Sequence, residues 1–265
     1  MSIKYSYHYS KWHPDTEEHF IATSLSLQQR YGMLLPASTD EPILDVGCGM
    51  GFFLAAARSL GYKHVEGIDI DSEQIKLAAR RGLTVELVDD SEKRLLETPE
   101  KYAFIGCFDV LEHLSAPDQL RLGRAIYTAL KPGGRIVVKV PNANCAFASR
   151  MRYIDFTHKC AFTEHSLDFL LHECGFRDIR TEEEDMRPRW PWLIRPRLML
   201  WYLRQILRTL RRLQAIAEFG PKQGLTIPLS LNLVGISNKS LQSLKNGAPD
   251  QDHEKIVRYR LRPSK

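Results

Sequence analysis

A chain of 265 residues with 43% apolar content is long enough to bury one α/β core with additions. It has no long uncharged apolar run, so no membrane-spanning helix is expected, and its first residues lack the apolar core of a signal peptide. The formal net charge is +5, yet residues 187–222 carry nine Arg and Lys against one acid, Glu218; the rest of the chain is net acidic, and only that segment speaks for an anionic partner.

Five cysteines (Cys48, Cys107, Cys145, Cys160, Cys174) are scattered and form no C-x-x-C pair. This argues against a disulfide framework or a zinc site and for a reducing, cytoplasmic setting. Residues 1–13 are rich in Tyr, His and Trp (Tyr5, Tyr7, His8, Tyr9, Trp12, His13). They are expected either to dock on the core as an arm or to cover a pocket mouth. Residues 15–32 read as a helix, with Thr16 as N-cap and Phe20, Leu25, Leu27 and Tyr31 apolar.

An apolar run at 43–46 carries one acid, Asp45, and leads into Gly47, Cys48, Gly49 and Gly51, followed by a helical run at 52–60. This is strand, glycine turn, helix, a turn that brings bare backbone close to a ligand. The dinucleotide fingerprint needs its third glycine three places after the second. Here that place is Phe52, and the glycine arrives one residue early. A carboxylate at Asp45 would also repel pyrophosphate, and suits a ligand with an ammonium or sulfonium group.

Strand two, 64–70, ends in Asp69 and Ile70. An acid at that end can accept hydrogen bonds from both ribose hydroxyls. Asp71 is placed to support the dipole of the next helix, 73–81, with Ser72 as its cap. Strand three, 84–88, ends in Asp89 and Asp90; strand four, 102–108, ends in Phe108 and Asp109. A helix at 117–130 is broken by Lys131-Pro-Gly-Gly134 before a β-branched strand at 135–140. A helix at 167–174 stops at Gly175, strand six covers about 176–181, and a last strand covers 229–237. Strict alternation of this kind demands a doubly wound parallel sheet.

Asp45-x-Gly-x-Gly-x-Gly51 resembles motif I of the class I S-adenosylmethionine-dependent methyltransferases. Asp109-Val-Leu-Glu-His-Leu114 resembles the motif after strand four in many small-molecule methyltransferases, including the ubiquinone-biosynthesis O-methyltransferases. Lys131-Pro-Gly-Gly134 is typical of the same superfamily, and the resemblance spans about residues 40–181. It implies an α/β fold: a Rossmann-like, doubly wound, mostly parallel seven-stranded sheet, with an N-terminal helical cap and an amphipathic helical insertion before the last strand. It also implies S-adenosylmethionine as cofactor, held by Asp45, Gly47, Cys48, Gly49, Gly51, Asp69, Ile70, Phe108 and Asp109, with Asp89 or Asp90 accepting the adenine amine. The division that follows is 1–40 arm and helix, 41–186 cofactor-binding core, 187–228 basic insertion, 229–237 last strand and 238–265 polar tail.

Asp109, Glu112 and His113 form a D-x-x-E-H cluster that three-ligand cation sites can use, and related ubiquinone-pathway enzymes use a similar E-x-x-E-H for metal. The first ligand differs here. The expectation is therefore no divalent metal, with Asp109 on the cofactor and Glu112 and His113 bracing the loop.

Residues 141–163 follow strand five at the edge where substrate would enter. A sulfonium methyl is already electrophilic, so the enzyme must align the acceptor and exclude water, and a hydroxyl acceptor needs a base. His158 is the expected base, oriented by Asp155, with Asn142 and Arg152 contacting substrate and His113 in reserve. The competing reading has Asp155 and His158 only capping the next helix or fixing the loop. The tract Asp155-Phe-Thr-His158 looks like methyltransferases encoded with bacterial surface-polysaccharide assembly, which points to a glycan or small-molecule hydroxyl. A phenolic or quinone-like acceptor is the runner-up. A non-catalytic cofactor-binding partner docked on a membrane is the answer of a different class.

Within the insertion, Met199, Leu203, Ile206, Leu210, Leu213 and Ala217 recur at helical spacing. Arg204, Arg208, Arg211 and Arg212 lie between them, and Trp190, Trp192, Trp201 and Tyr202 flank or join them. Three readings stand: a lid or homodimer element, a membrane-surface helix at the inner face of the membrane (190–217), or nucleic-acid binding. No N-P-P-Y-type motif follows strand four, so no nucleic-acid partner is expected.

Overall fold

The structure, a computed structural model, describes residue 9 and residues 11–184 and 195–241. Tyr5, Tyr7 and His8 of the arm, Trp190 and Trp192 of the insertion, and the tail from 242 lie outside the described residues.

Seven strands build one sheet: β1 (Ile43–Val46), β2 (Val65–Asp69), β3 (Val85–Leu87), β4 (Tyr102–Phe108), β5 (Leu130–Pro141), β6 (Arg177–Glu183) and β7 (Asn232–Asn238). Their order is β3-β2-β1-β4-β5-β7-β6. The first five are parallel, and β7 runs antiparallel to both β5 and β6. The order reverses between β1 and β4, so a crevice opens beyond their carboxyl ends, the usual ligand position in open α/β sheets. The expected mostly parallel, doubly wound sheet of seven strands is what forms.

Helices cover both faces: α1 (Glu17–Tyr31), α2 (Phe52–Ser59), α3 (Ser72–Arg80), α4 (Ser91–Leu96), α5 (Ala116–Ala129), α6 (Ala148–Tyr153), α7 (Glu164–Glu173) and α8 (Arg195–Gly224). Residues Tyr31, Phe53, Leu54 and Ala57 of α1 and α2 meet Phe104 and Val137 on one face. Leu95, Leu122, Ile126 and Leu171 of α4, α5 and α7 meet Ile105, Val138 and Val140 on the other. Alternate residues of β4 and β5 thus feed opposite cores, as the period of a strand requires.

Local chemistry sets most helix starts. Thr16 caps α1, as expected, by accepting from the His19 N–H. Asp71, not Ser72, caps α3, and Asp90 caps α4, a helix absent from the sequence reading. Ser115 caps α5 with Pro117 in its first turn, and Thr163 with Ser166 closes a capping box on α7. Lys131-Pro-Gly-Gly134 does not precede β5 but lies within its span, at a register irregularity between Tyr102 and Phe104. A Cβ on Gly134 would stand 2.8 Å from the Lys131 carbonyl oxygen, which explains the glycine there. The insertion between β6 and β7 is largely α8, broken at Gly220 (φ 78°) ahead of Pro221.

Candidate active site

The glycine turn after β1 needs glycine in three places. Gly47, Gly49 and Gly51 have φ of 74°, 52° and 84°, and a Cβ on them would run into Val110, the Tyr9 hydroxyl and Leu83 respectively. The turn is tied to β2: the Gly49 N–H donates to Asp69 Oδ2 at 2.7 Å, and the Asp71 N–H donates to Oδ1 at 2.8 Å. Burial raises the Asp69 pKa even though these N–H bonds pull it down.

Asp45 lies beneath the turn, 3% exposed, and its Oδ1 has no hydrogen-bond partner. Burial, then the nearby charge of Asp69, pushes its carboxyl well above the usual range. A buried carboxylate with an unmet oxygen calls for a cationic or donating partner. A ligand with an ammonium group, bound against the bare backbone of the turn, meets that need. The residues present therefore fit S-adenosylmethionine. Cys48 is buried, its thiol raised well above normal by burial, and it serves as packing. Ile70 is 70% exposed at the end of β2. Asp90 spends its carboxylate on the N–H groups of Glu92 and Lys93, whereas Asp89 is exposed.

Beyond β4 the backbone turns at Asp109 with φ 57°, unusual for a side chain with a Cβ. Its N–H donates to the Lys139 carbonyl at 3.0 Å, and its carboxylate pairs with the Lys139 ammonium. Burial would lower Lys139, but Asp109 and Glu184 outweigh it and hold the amine above its ordinary pKa. Glu184 is itself buried, taking hydrogen bonds from Arg30, the Tyr31 hydroxyl (2.9 Å) and Asn232. Phe108 packs between Tyr31 and Phe53, with ring centroids 4.8 and 4.9 Å away. Sequence reasoning missed this buried ionic cluster. The available signal was Lys139, a lone charge in the run Ile136-Val-Val-Lys-Val140.

Glu112, His113 and His158 come together next to this turn, their ligand atoms all within 4.8 Å of one another. The two imidazoles meet edge to face at 4.7 Å. Asp155 Oδ1 accepts from both the N–H and the hydroxyl of Thr157 at 2.7 Å, and Thr157 Oγ1 lies 2.8 Å from His113 Nδ1. Because the Thr157 proton goes to Asp155, the hydroxyl must accept from His113 Nδ1–H, which leaves the lone pair on Nε2. Orientation thus passes from Asp155 to His113 through Thr157. His158 is fixed separately, its Nδ1 on the Met151 carbonyl at 2.9 Å and its Nε2 4.0 Å from Glu112 Oε1. Glu112 is 1% exposed with Oε2 unpartnered, and burial followed by the charge of Asp109 raises its carboxyl well above normal.

Asn142 is fully buried. Its amide donates to the carbonyls of Pro228 and Ser230, and its oxygen accepts from the Asn144 N–H. That corrects the expectation of substrate contact: Asn142 clasps the chain entering β7. Arg152 sits on α6, its guanidinium 5.0 Å from the Tyr153 ring centroid. From the arm, Tyr9 and His13 reach the glycine turn and Phe52, with the His13 ring 5.2 Å from that of Phe52. Burial, then His19, lowers the His13 pKa to about 4. Tyr9 and His13 thus lie beside the glycine turn.

A family model described as a methyltransferase domain matches residues 21–181. Ubiquinone biosynthesis O-methyltransferases from Aeromonas salmonicida and Xylella fastidiosa are 36% and 38% identical to the chain. Those matches cover 38% and 39% of this chain and 44% and 43% of the relatives, so the chain spans less than half the length of the curated relatives it matches. Among solved structures, an S-adenosylmethionine-dependent methyltransferase from Archaeoglobus fulgidus superposes with a TM-score of 0.60 at 23% identity, over 84% of this chain and 97% of that one. A Haemonchus contortus phosphoethanolamine N-methyltransferase, solved with S-adenosylhomocysteine, gives 0.55 at 20% identity over 83% of this chain and 52% of its own. These structures share the fold, and the family match rests on the core from α1 to β6. The glycine turn, the two acids beneath it and this match together place the chain in the class I S-adenosylmethionine-dependent methyltransferase superfamily.

Proposed function

We propose that the protein transfers the methyl group of S-adenosylmethionine to a hydroxyl oxygen of a glycan or small-molecule acceptor. The observation that carries this reading is the imidazole of His113, set by the Asp155–Thr157 relay beside the cofactor crevice. S-adenosylmethionine supplies an electrophilic methyl. Asp45, the backbone of residues 47–51 and Asp69 hold it, with Asp89 rather than the capping Asp90 directed to adenine. His113 Nε2 takes the acceptor's hydroxyl proton; Asp155 is a positioning residue acting through Thr157. His158 braces the His113 ring, and Arg152 binds the acceptor at the lip.

The glycan acceptor is supported by the likeness of the 155–158 tract to polysaccharide-associated methyltransferases. A phenolic quinone precursor is the second reading, favoured by the names of the curated relatives. Glu112, His113 and His158 also make a donor set that a divalent cation accepts. No described helix is long and apolar enough to cross a membrane; α8 instead suits a membrane surface, where the protein would sit peripherally.

The test is release of S-adenosylhomocysteine with a panel of glycans and catechols, before and after chelator treatment. Turnover on a hydroxyl acceptor that persists in chelator supports the base reading. Strong binding of S-adenosylmethionine without turnover on any acceptor moves the chain to a non-catalytic role. Loss of turnover in chelator, restored by a divalent metal, assigns the histidines to a cation.

A further inference from the structure

The helix α8 is docked with the opposite polarity from an ordinary surface helix. Two of its arginines face inward: Arg208 pairs with Glu183, Arg212 Nη2 lies 4.0 Å from the same carboxylate, and Arg212 Nη1 donates to the carbonyls of Gly224 and Ile227. Ala215, three residues past Arg212 on the same side of the helix, is buried. Most of the apolar stripe faces away from the protein, with Met199, Ile206 and Leu213 more than half exposed, and Leu203 and Leu210 stand at its edge. Phe147, Tyr153 and Phe156, on the neighbouring loop and α6, are exposed as well, Phe156 at 87%. So large an exposed apolar surface marks a docking site.

Beside the stripe, between α8 and residues 145–147 and 229–231, lies a cavity of about 550 Å³. Its helix wall is apolar, formed by Leu203, Leu207 and Leu210, and arginines 204, 208 and 211 run along it. Among the described residues Arg211 has no ion-pair partner. The volume falls within the range of small-molecule sites.

We infer that this cavity holds the hydrocarbon chain of a phosphate-bearing membrane lipid, with Arg211 meeting the phosphate and the apolar stripe of α8 lying in the lipid surface. Charge decides the occupant. A second copy would present the same arginines, and Glu218 is the only acid on α8 to meet them. An anionic lipid offers complementary charge and a chain for the apolar wall at once. The inference rests on the membrane-surface reading of α8 and is independent of the methyl-transfer chemistry.

The full chain is titrated calorimetrically with dodecyl phosphate below its micellar concentration, with inorganic phosphate and dodecanol as controls, and floated with vesicles of phosphatidylcholine with or without phosphatidylglycerol. Dodecyl phosphate should bind at least tenfold more tightly than either control. Ala146→Trp, which fills the cavity from the loop side, should abolish that binding while leaving S-adenosylmethionine affinity and flotation intact. Arg211→Glu should weaken it severalfold. Equal binding of dodecyl phosphate to the wild type and Ala146→Trp overturns the cavity assignment. Loss of flotation in Leu213→Glu with dodecyl phosphate binding retained supports separate surface and cavity sites. No flotation of the wild type on either vesicle, or a concentration-dependent dimer abolished by Leu213→Glu, overturns the membrane reading.

Discussion

The two halves of the crevice are built by opposite means. The side proposed for the cofactor comes from one short stretch and its immediate neighbour: residues 45–51, and Asp69 bonded to Gly49. On the side proposed for the acceptor, the contacts that bring the loops together join distant parts of the chain. Thr157 meets His113, His158 meets Glu112, and Asn142 holds residues 228 and 230. The first half can be read from local spacing, since backbone conformation and strand order suffice to place it. The second depends on how loops pack, and the same polar residues in another packing would do something else.

The largest expected effect separates the two halves. His113→Ala should lower turnover by roughly 10²–10⁴-fold, the usual contribution of a positioned base, while calorimetry shows S-adenosylmethionine affinity unchanged. Thr157→Val should reproduce part of that loss and shift the pH–rate profile, because the relay from Asp155 is cut. Unaltered turnover in both variants would dissolve the acceptor half as drawn.

Asp69→Ala acts on the other half. Losing charged hydrogen bonds worth about 1.5–3 kcal/mol each should weaken S-adenosylmethionine binding at least tenfold, with a matching rise in KM and a smaller change in kcat. An effect confined to kcat would remove Asp69 from cofactor binding.

Asn142→Leu tests the long-range clasp. It leaves the buried carbonyls of Pro228 and Ser230 without donors, at a cost of about 2–3 kcal/mol, read as a lower denaturant midpoint with little change in cofactor affinity. A variant as stable as the wild type, with altered acceptor KM, would return Asn142 to substrate contact.

The packing of His13 beside the glycine turn should show itself in acid. His13 has a folded pKa of about 4, below its unfolded value. The unfolded chain therefore takes up a proton first, and stability falls as pH drops from the unfolded pKa toward 4. With its partial exposure the effect is on the order of 1 kcal/mol. His13→Gln should flatten the stability profile in that window, measured by thermal melts. An unchanged slope would show that the arm does not bury the imidazole.

The smallest effect comes from a pair of helices with similar patterns. Leu122 and Ile126 of α5 are buried against the sheet, whereas Leu210 and Leu213 of α8 are exposed. Leu210→Glu should change the denaturant midpoint by about 0.5 kcal/mol or less, as exposed sites do, against about 2–5 kcal/mol for Ile126→Ala. A large loss at Leu210 would mean that this stripe packs on protein.

Much of the fold was legible in order of strands, since apolar runs, glycine stops and caps are local signals. The α4 helix was hidden because Asp89-Asp90-Ser91 reads equally as a loop, and the Asp90 cap appears only when its N–H partners are in place. The ionic cluster of Lys139, Asp109 and Glu184 left only one trace, a lysine in an otherwise apolar strand. Its partners stand 30 and 45 residues away, at distances that no local pattern encodes.

The sequence by itself determined the mostly parallel sheet and the glycine turn with its neighbouring acids, because strand period and positive φ follow from residue type and spacing. Only the tertiary structure decided which histidine the Asp155 relay serves, that Asn142 is a clasp, and that α8 turns its apolar stripe outward. Helical periodicity fixes which residues share a face. The side that meets the protein depends on partners elsewhere in the chain, and here Glu183 draws Arg208 and Arg212 inward.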